Sequence, residues 1–382
     1  MMRPSGIAII ALLFFSSCGN RSSVSYIDEQ GSVSPLWGAQ RFSVEEYQGI
    51  VTLKIINPWQ DAEGSEFTYY LVRHDVSLPD SLKGRQVIRV PVKRIVCMST
   101  THIAMLKALG AEETIVGISG TSLVYDHDIR SAVSAGKIPD VGYENNLDKE
   151  MIVSLRPDFL MAYGVSPSSA EYLRKLGEMG VTVMYNADYL EEHPLARCEW
   201  IKVFGLLTGR ETKADSIYES VSRNYLGLAD TLRQLDEDEH PAVLLGAPWE
   251  DVWYVSPSNS FTARLLYDAG GKYIFSDLIA PNSVPYSTEA VFNRATEAEI
   301  WLNPGSATSL SNIRLADYRL AQLPVFKTGR IYNNNRRVIE GGGNDFWESA
   351  VVHPDILLRD MASILHTGLF PGYSPVYYRI LK

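Results

Sequence analysis

Aromatic side chains stand at the points of this 382-residue chain where short apolar segments end. Each one falls where a predicted strand ends or a loop begins, and in parallel sheets such positions gather at the edge where ligands bind. Core packing would explain any single one of them, but seven together favour a cleft for a large, flat, partly apolar ligand. The seven are Tyr143, Tyr163, Tyr185, Trp249, Trp253, Tyr286 and Trp347.

Residue patterns for catalysis or metal binding are mostly missing. The chain has no Gly-x-Ser-x-Gly elbow, no His-Glu-x-x-His, no Walker loop and no Cys-x-x-Cys. Ser99 and His102 could form a pair of nucleophile and base. The alternative function is therefore a periplasmic hydrolase with a two-lobe fold. His102 could also touch a ligand or a haem iron, although a capping or surface histidine is the more ordinary interpretation. The histidines never pair at ligand spacing, so we predict neither a metal site nor an enzyme.

The composition limits the partners and the number of domains. Lys and Arg number 35 against 45 Asp and Glu, which gives a formal charge of −10. An acidic chain without a basic run lacks the electrostatic footprint for nucleic acid. The chain is 46% apolar, and its length predicts two domains or lobes.

The N-terminus predicts export and a lipid anchor. Arg3 is followed by an apolar run over 7–15, and then by two serines and Cys18. We expect residues 1–17 to be a signal peptide and Cys18 to be acylated; in the alternative, a plain secretory signal, the cysteine is incidental. We predict that residues 18–40 form a tether between the lipid anchor and the folded part. The protein would then be periplasmic and lipid-anchored to a bacterial membrane. Whether the two other cysteines, Cys97 and Cys198, pair is left open.

The chain then shows a change of pattern near residue 91. Within 41–90, alternating segments at 51–56 and 67–72 surround a polar turn, which predicts a β-hairpin extension. From 91 to 193, short apolar strands alternate with helical patterns, which is typical of a parallel α/β lobe. The stretch 194–235 predicts one long amphipathic helix, with a possible break at 205–209.

The second half repeats the first. Residues 289–302 repeat the helix, break and strand pattern of 150–162, within a C-terminal lobe over 236–382. We therefore predict an α/β protein with two Rossmann-like lobes joined by a long α-helix and preceded by the hairpin extension. A ligand cleft is expected between the lobes.

Six short motifs follow one another after residue 90 in a specific order. They are Pro91-x-x-Arg94-Ile-Val-x-x-Ser99-Thr100-Thr101-His102, Leu109-Gly110-Ala111, Ile115-Val116-Gly117, Val141-Gly142, Leu155-x-Pro157-Asp158 and Asn344-Asp345-Phe346-Trp347. Over about residues 91–382 the chain thereby resembles the periplasmic substrate-binding proteins of ABC importers for iron–siderophore complexes, haem and cobalamin. The residues before 91 do not match that core.

The resemblance implies a monomeric carrier that delivers its ligand to an ABC permease and its ATPase. It implies no cofactor, although the ligand itself would contain iron or cobalt. By position, it suggests nine ligand-binding residues in the cleft. These are Ser99, Thr100, Tyr143, Tyr163, Trp249, Tyr286, Asn335, Arg336 and Trp347.

Within this set Arg336 is the one cation. It could pair with a carboxylate or phosphate of the ligand, and a solvated arginine is an equal alternative. Because the pocket is not strongly basic, we expect cobalamin or another large neutral ligand ahead of a ferric siderophore or haem.

The resemblance also implies one glutamate in each lobe that pairs with arginines of the permease. Glu171 fits the first position, at the start of the helix that follows Tyr163, and Glu289 fits the second. An acidic residue favoured by the helix dipole is the alternative for both and requires no partner.

Overall fold

The computed structural model describes residues 38–143, 146–163 and 167–382, without the side chains of 167–170, and the backbone of two short strands before them. These strands, β1 (Ser25–Ile27) and β2 (Val33–Pro35), pair antiparallel. The predicted signal peptide and Cys18 lie outside the described residues.

The extension is a four-stranded sheet that includes the predicted hairpin. Its strands lie in chain order and are β3 (Phe42–Tyr47), β4 (Ile50–Ile56), β5 (Glu66–Arg73) and β6 (Val87–Val90). The pair β4–β5 is antiparallel and confirms the hairpin, with Leu53 opposite Tyr69. Strand β6 joins parallel to β5, so the segment up to residue 90 forms a larger sheet than the pattern indicated.

Two buried glutamates fasten the start of the extension to the N-terminal lobe. The carboxylate of Glu191 accepts the backbone N–H groups of Gln40 and Arg41 at 3.0–3.2 Å. Glu199 accepts those of Gly38 and Ala39 at 3.3 and 3.2 Å. Backbone donors that are removed from water require such partners, and that of Ala39 is buried, so these carboxylates fix where the sheet begins. We call this set of contacts the extension joint.

The N-terminal lobe is a parallel sheet of order β12-β11-β7-β8 covered by helices. Its elements are β7 (Ile95–Cys97), α1 (Thr100–Leu109), β8 (Ile115–Ile118), α2 (His127–Ser134), β9 (Gly142–Tyr143), β10 (Asn146–Leu147), α3 (Lys149–Ser154), β11 (Phe159–Ala162), α4 (Pro167–Glu178) and β12 (Val183–Tyr185). The strands of this sheet consist of consecutive apolar residues because both faces of the sheet are buried.

Three consecutive helices join the lobes in place of a single unbroken one. They are α5 (Pro194–Glu199), α6 (Ile201–Thr208) and the 22-residue α7 (Glu211–Leu232). Gly209 ends α6 in the left-handed conformation at φ +67°, where the sequence had indicated a break. The first break, at Trp200, was not predicted. The Trp200 indole is fully buried and donates to Glu191 at 3.1 Å.

The C-terminal lobe repeats the design with a sheet of order β15-β13-β17-β18-β19, parallel except for β19. Its elements are β13 (Ala242–Leu245), β14 (Val252–Val255), α8 (Phe261–Asp268), β15 (Lys272–Tyr273), β16 (Val284–Ser287), α9 (Thr288–Ala295), β17 (Ile300–Leu302), α10 (Leu310–Ala316), α11 (Pro324–Thr328), β18 (Ile331–Asn333), α12 (Pro354–Leu365) and β19 (Arg379–Ile380). Strands β14 and β16 form a separate antiparallel ribbon. The fold is therefore the predicted pair of α/β lobes with an N-terminal extension.

Candidate functional site

Ser99 and Thr100 lie at the carboxyl end of β7, where α1 begins. Ser99 is the N-cap of α1: its Oγ accepts the N–H of Thr101 at 3.2 Å, which satisfies a free helix donor. Thr100 Oγ1 donates to the backbone oxygen of Trp347 in the other lobe at 2.9 Å. Ser99 thus has a structural role, whereas Thr100 joins the carboxyl end of β7 to the helical turn that ends at Trp347 in the other lobe.

The N-terminal lobe offers two further aromatic candidates. Tyr163 follows β11, and its ring meets Tyr189 edge-on with centroids 6.1 Å apart. Tyr143 is 43% exposed, and its ring occupies space next to Gly120. A Cβ at Gly120 would lie 2.8 Å from the Tyr143 ring, and the residue has φ +69°, so only glycine leaves room for this ring.

In the C-terminal lobe, Trp249 is the most exposed of the candidate aromatic residues. It begins a tight turn after β13, closed by its N–H to the oxygen of Val252 at 2.8 Å, and it is 74% exposed. Tyr286 lies opposite Trp253 on the β14–β16 ribbon and packs on Phe275, with ring centroids 5.5 Å apart. An exposed indole on a rigid turn is well suited to contact a ligand or a partner.

Asn335 and Arg336 follow β18 and bond within their own lobe. Asn335 donates to the oxygen of Ala307 at 2.9 Å and accepts from Arg379 Nε at 2.9 Å, so both ends of its amide are engaged. The exposed Arg336 donates to Ser374 Oγ at 2.7 Å. A single neutral hydroxyl leaves this guanidinium with further donors for an anionic group.

Two of the seven aromatic residues of the pattern are core residues, so the interpretation of them as cleft positions was wrong. Trp253 is fully buried and donates its indole N–H to the oxygen of Leu245 at 3.1 Å. Tyr185 is buried beneath the extension, with its ring 4.6 Å from that of Phe67. The extension sheet covers what would otherwise be an open strand end.

The lobes also meet through a glutamate that the sequence did not single out. Glu348 follows Trp347, is buried, and accepts the backbone N–H groups of Tyr125 and Asp126 at 2.6 and 2.9 Å. Arg337 stacks over the Tyr125 ring at 5.2 Å beside it. These contacts, with that of Thr100, form the lobe joint, which borders a cavity of about 470 Å³.

Burial governs the ionisation of this glutamate. Desolvation raises the pKa of Glu348 to about 7, although the two N–H donors act in the opposite direction. Burial likewise raises the pKa of Glu191 at the extension joint to about 7. Both carboxyl groups therefore titrate close to neutral pH.

Glu171 and Glu289 do not occupy equivalent helix positions. Glu289 lies in the first turn of α9, as expected. Glu171 lies in the second turn of α4, because that helix already begins at Pro167, so the expectation of a helix-start residue was wrong. Each is exposed and paired within the chain: Glu171 with Arg174 at 2.7 Å, and Glu289 with Arg319 at 3.0 Å.

The catalytic alternative lacks its central contact. His102 is fully buried, and neither of its ring nitrogens has a hydrogen-bond partner, so it bonds neither Ser99 nor the helix terminus. Burial lowers the pKa of His102 to about 3, which leaves the ring neutral. Both interpretations of His102, as a ligand or as a capping or surface residue, were therefore wrong.

Within the described part of the chain, no group of three or more His, Cys, Asp or Glu side chains could hold a metal ion. No helix in the same residues is long and apolar enough to cross a membrane. Cys97 and Cys198 are both free and buried in this structure.

Sequence similarity to one relative extends beyond the two lobes of this chain. An uncharacterised lipoprotein of Methanocaldococcus jannaschii is 29% identical over 348 residues, which cover 85% of this chain and 80% of the relative. An uncharacterised ABC transporter substrate-binding lipoprotein of Bacillus subtilis is 24% identical over 192 residues, covering 50% of this chain and 58% of the relative. The first match covers more residues than lie between 91 and the C-terminus, so it reaches into the extension.

Solved structures share the fold. A periplasmic haem-binding protein from Pseudomonas aeruginosa superimposes with a TM-score of 0.54 and 21% identity, covering 75% of this chain and 95% of that protein. A periplasmic binding protein from Veillonella parvula superimposes with a TM-score of 0.55 and 14% identity, covering 86% of this chain and 99% of that protein. The family model for periplasmic binding proteins matches residues 95–336, which is more than half of the chain. The protein therefore belongs to the periplasmic binding protein family, whose members are transport components rather than enzymes.

Proposed function

We propose that this protein is the lipid-anchored substrate-binding component of an ABC importer, which captures a metal-chelate ligand and delivers it to a membrane permease. The observation that carries the proposal is the contact between the two lobes at the carboxyl end of β7, through Thr100 and Trp347, in a member of this family. The similar Bacillus subtilis lipoprotein is described as an ABC transporter substrate-binding protein, which supports the transport role.

The chemistry of the strand ends supports a large, planar and weakly charged ligand. Tyr143, Trp249 and Trp347 keep much of their ring surface exposed, at 43%, 74% and 56%. Such rings stack on flat, partly apolar molecules. The nearby cation Arg337 is engaged by Asp345 at 2.8 Å, which leaves Arg336 for an anionic group of the ligand.

On these grounds we expect cobalamin ahead of haem or a ferric siderophore. The Pseudomonas aeruginosa neighbour is described as haem-binding, which keeps haem as the first alternative. Arg336 is the residue that would favour an anionic chelate, because it has unused donors.

Titration of tryptophan fluorescence tests the ligand class. Cyanocobalamin, haemin and ferrichrome are added separately to the purified protein, and quenching is expected with one of them at micromolar concentration or below. The quenching amplitude should decrease in Trp249→Phe and Trp347→Phe, whereas Trp301→Phe, which removes a fully buried indole, serves as the control. No response to any of the three chelates would contradict the proposed function.

A second experiment addresses delivery. We propose that Glu171 and Glu289 exchange their present partners, Arg174 and Arg319, for arginines of the permease. The double variant Glu171→Ala/Glu289→Ala should keep its affinity for the chelate and lose uptake in the native host. Uptake that remains at the wild-type level would rule out this mode of docking.

Location is part of the same proposal. Cys18 would carry the lipid, so metabolic labelling with palmitate should mark the wild-type protein and leave Cys18→Ser unlabelled. Labelling of the variant would place the anchor elsewhere.

A further inference from the structure

A groove of about 650 Å³ lies between the extension and the N-terminal lobe, away from the lobe joint. One wall is the entry to β6, at residues 85–87, and the opposite wall is the entry to β12, at residues 180–183. Glu171, Arg174 and Gly177 of α4 complete its rim. We call it the extension groove.

The floor of the extension groove is aromatic and belongs to both parts of the molecule. Trp59 and Phe67 come from the extension, and Tyr185 comes from β12. The three ring centroids lie 4.6 to 5.7 Å apart. Tyr69 of the extension accepts the backbone N–H of Tyr185 at 3.3 Å. This contact and the extension joint hold the two walls in fixed relation.

One wall presents unpaired strand edge. Strand β12 is the outer strand of its sheet, and the Tyr185 N–H points away from β11 because it donates to Tyr69. Backbone groups two residues apart in a strand point the same way, so the N–H and C=O of Val183 face the groove. Such an edge is a template for an added strand, and an aromatic floor beside it offers a pocket for one apolar side chain.

The rim connects the groove to the proposed docking site. Glu171 lines the groove and is also the residue assigned to an arginine of the permease. The extension that builds the opposite wall falls within the match to the Methanocaldococcus jannaschii lipoprotein, so it is not confined to this chain.

We infer that the extension groove binds an extended segment of the permease, which pairs with the Val183 edge, places an apolar side chain on the aromatic floor and sets an arginine against Glu171. This inference rests on the proposed function and gives the extension its role, that of one half of a docking groove. A second copy of this chain, or its own N-terminal segment, are the competing occupants.

Two matched glycines allow the groove to be blocked without disturbing the fold. Gly177 lies in α4 on the groove rim, Gly227 lies in α7, and a Cβ at either position meets no atom within 4 Å. Both are exposed helical residues, so a larger side chain fits at each and removes a flexible residue from the helix. Gly177→Trp fills the groove, and Gly227→Trp is its control.

Uptake is measured in the native host with the full-length chain and with the chelate, among cyanocobalamin, haemin and ferrichrome, that the wild type binds. Gly177→Trp should lower uptake about tenfold or more while affinity for the chelate stays within about twofold. Gly227→Trp should match the wild type in both. If Gly177→Trp transports normally while Glu171→Ala/Glu289→Ala does not, the groove inference fails and the docking proposal stands.

Photocrosslinking gives a readout that needs no chelate. With p-benzoylphenylalanine at position 177, we expect a crosslink to a transmembrane subunit of a permease, identified by mass spectrometry, and none from position 227. A product with a second copy, with the protein's own N-terminal segment, or with no protein would overturn the inference.

Discussion

In the extension joint and in the lobe joint, buried glutamates accept backbone N–H groups, but the two joints differ in the number of such contacts. At the extension joint, Glu191 accepts the N–H groups of Gln40 and Arg41, and at the lobe joint, Glu348 accepts those of Tyr125 and Asp126. Both carboxylates are buried. In each case a buried glutamate binds backbone groups of a chain segment that is remote in sequence.

The difference lies in what supports each glutamate. Glu191 has a third donor in the Trp200 indole, and Glu199 binds the adjoining backbone. The charged contact of Glu348 is supplemented by the hydroxyl of Thr100. The extension joint is therefore a redundant network, whereas the hydrogen bonds of the lobe joint depend on Glu348 and Thr100. This indicates that the extension acts as part of the lobe to which it is fixed.

The largest effect is expected from Glu191→Ala. It leaves the buried Trp200 indole and the partly buried N–H groups of Gln40 and Arg41 without an acceptor, and should lower the free energy of unfolding by about 4 kcal/mol in urea denaturation. Glu191→Gln, which keeps an acceptor, should lose less. The exposed neighbour provides the control, since Glu192→Ala should change stability by less than about 1 kcal/mol.

A second, smaller loss is expected from Glu348→Ala. Two backbone donors, those of Tyr125 and Asp126, lose their acceptor, which should cost about 2 to 3 kcal/mol. Hydrogen exchange should accelerate at these two amides and remain unchanged at Gln40 and Arg41. If Glu348→Ala proves more damaging than Glu191→Ala, the contrast between the joints is wrong.

The pH dependence of stability sharpens the comparison. Folding buries Glu191 and Glu348 and thereby raises the pKa of each from its ordinary value of 4.5 to about 7. Between these values the folded state holds more protons on these two groups than the unfolded state does, so their contribution to the free energy of unfolding decreases as pH rises from 4.5 to 7. We expect a loss of about 1 to 3 kcal/mol for each group over this window. The buried, neutral His102 contributes in the opposite direction.

The matching variants isolate these two contributions. In urea denaturation across the same pH range, the stability of the wild type relative to Glu191→Gln, or relative to Glu348→Gln, should decrease as pH rises, because each variant removes one titrating group. A relative stability that increases with pH would mean that the N–H donors outweigh desolvation.

The smallest effect concerns the single hydroxyl contact between the lobes. Thr100→Val removes the donor to the Trp347 oxygen and keeps the side-chain shape, so stability should decrease by about 0.5 to 1 kcal/mol. Ser99→Ala, which removes the cap of α1, is a comparison of similar size that leaves the lobe joint intact. Only Thr100→Val should alter exchange at the amides near Trp347.

Local patterns in the sequence predicted most of the fold. At α1, for example, the residue types fit the observed ends: Ser99 caps the start of the helix, and Gly110 ends it at φ +67°. The break at Trp200 was missed because no glycine or proline marks it. The start of α4 was missed although Pro167 gave the signal, since proline favours the first position of a helix.

The site was less predictable because its contacts join distant residues. Nothing near Glu191 or Glu348 in sequence shows that backbone groups more than 100 residues away need an acceptor. The aromatic residues that the pattern singled out include both exposed and buried side chains, because sequence cannot show which of them the extension covers. Tyr185 therefore lies in the core, whereas Tyr143 is accessible to solvent.

The spacing of these contacts along the chain has a consequence for biosynthesis. Glu191 follows Gln40 by 151 residues, whereas Glu348 follows Tyr125 by 223. The extension and the first lobe can thus be completed while the second lobe is still being made, but the turn at Tyr125 must wait until translation is almost finished. During refolding we expect the amides of Tyr125 and Asp126 to gain protection last, which makes the closing of the two lobes the final step in maturation.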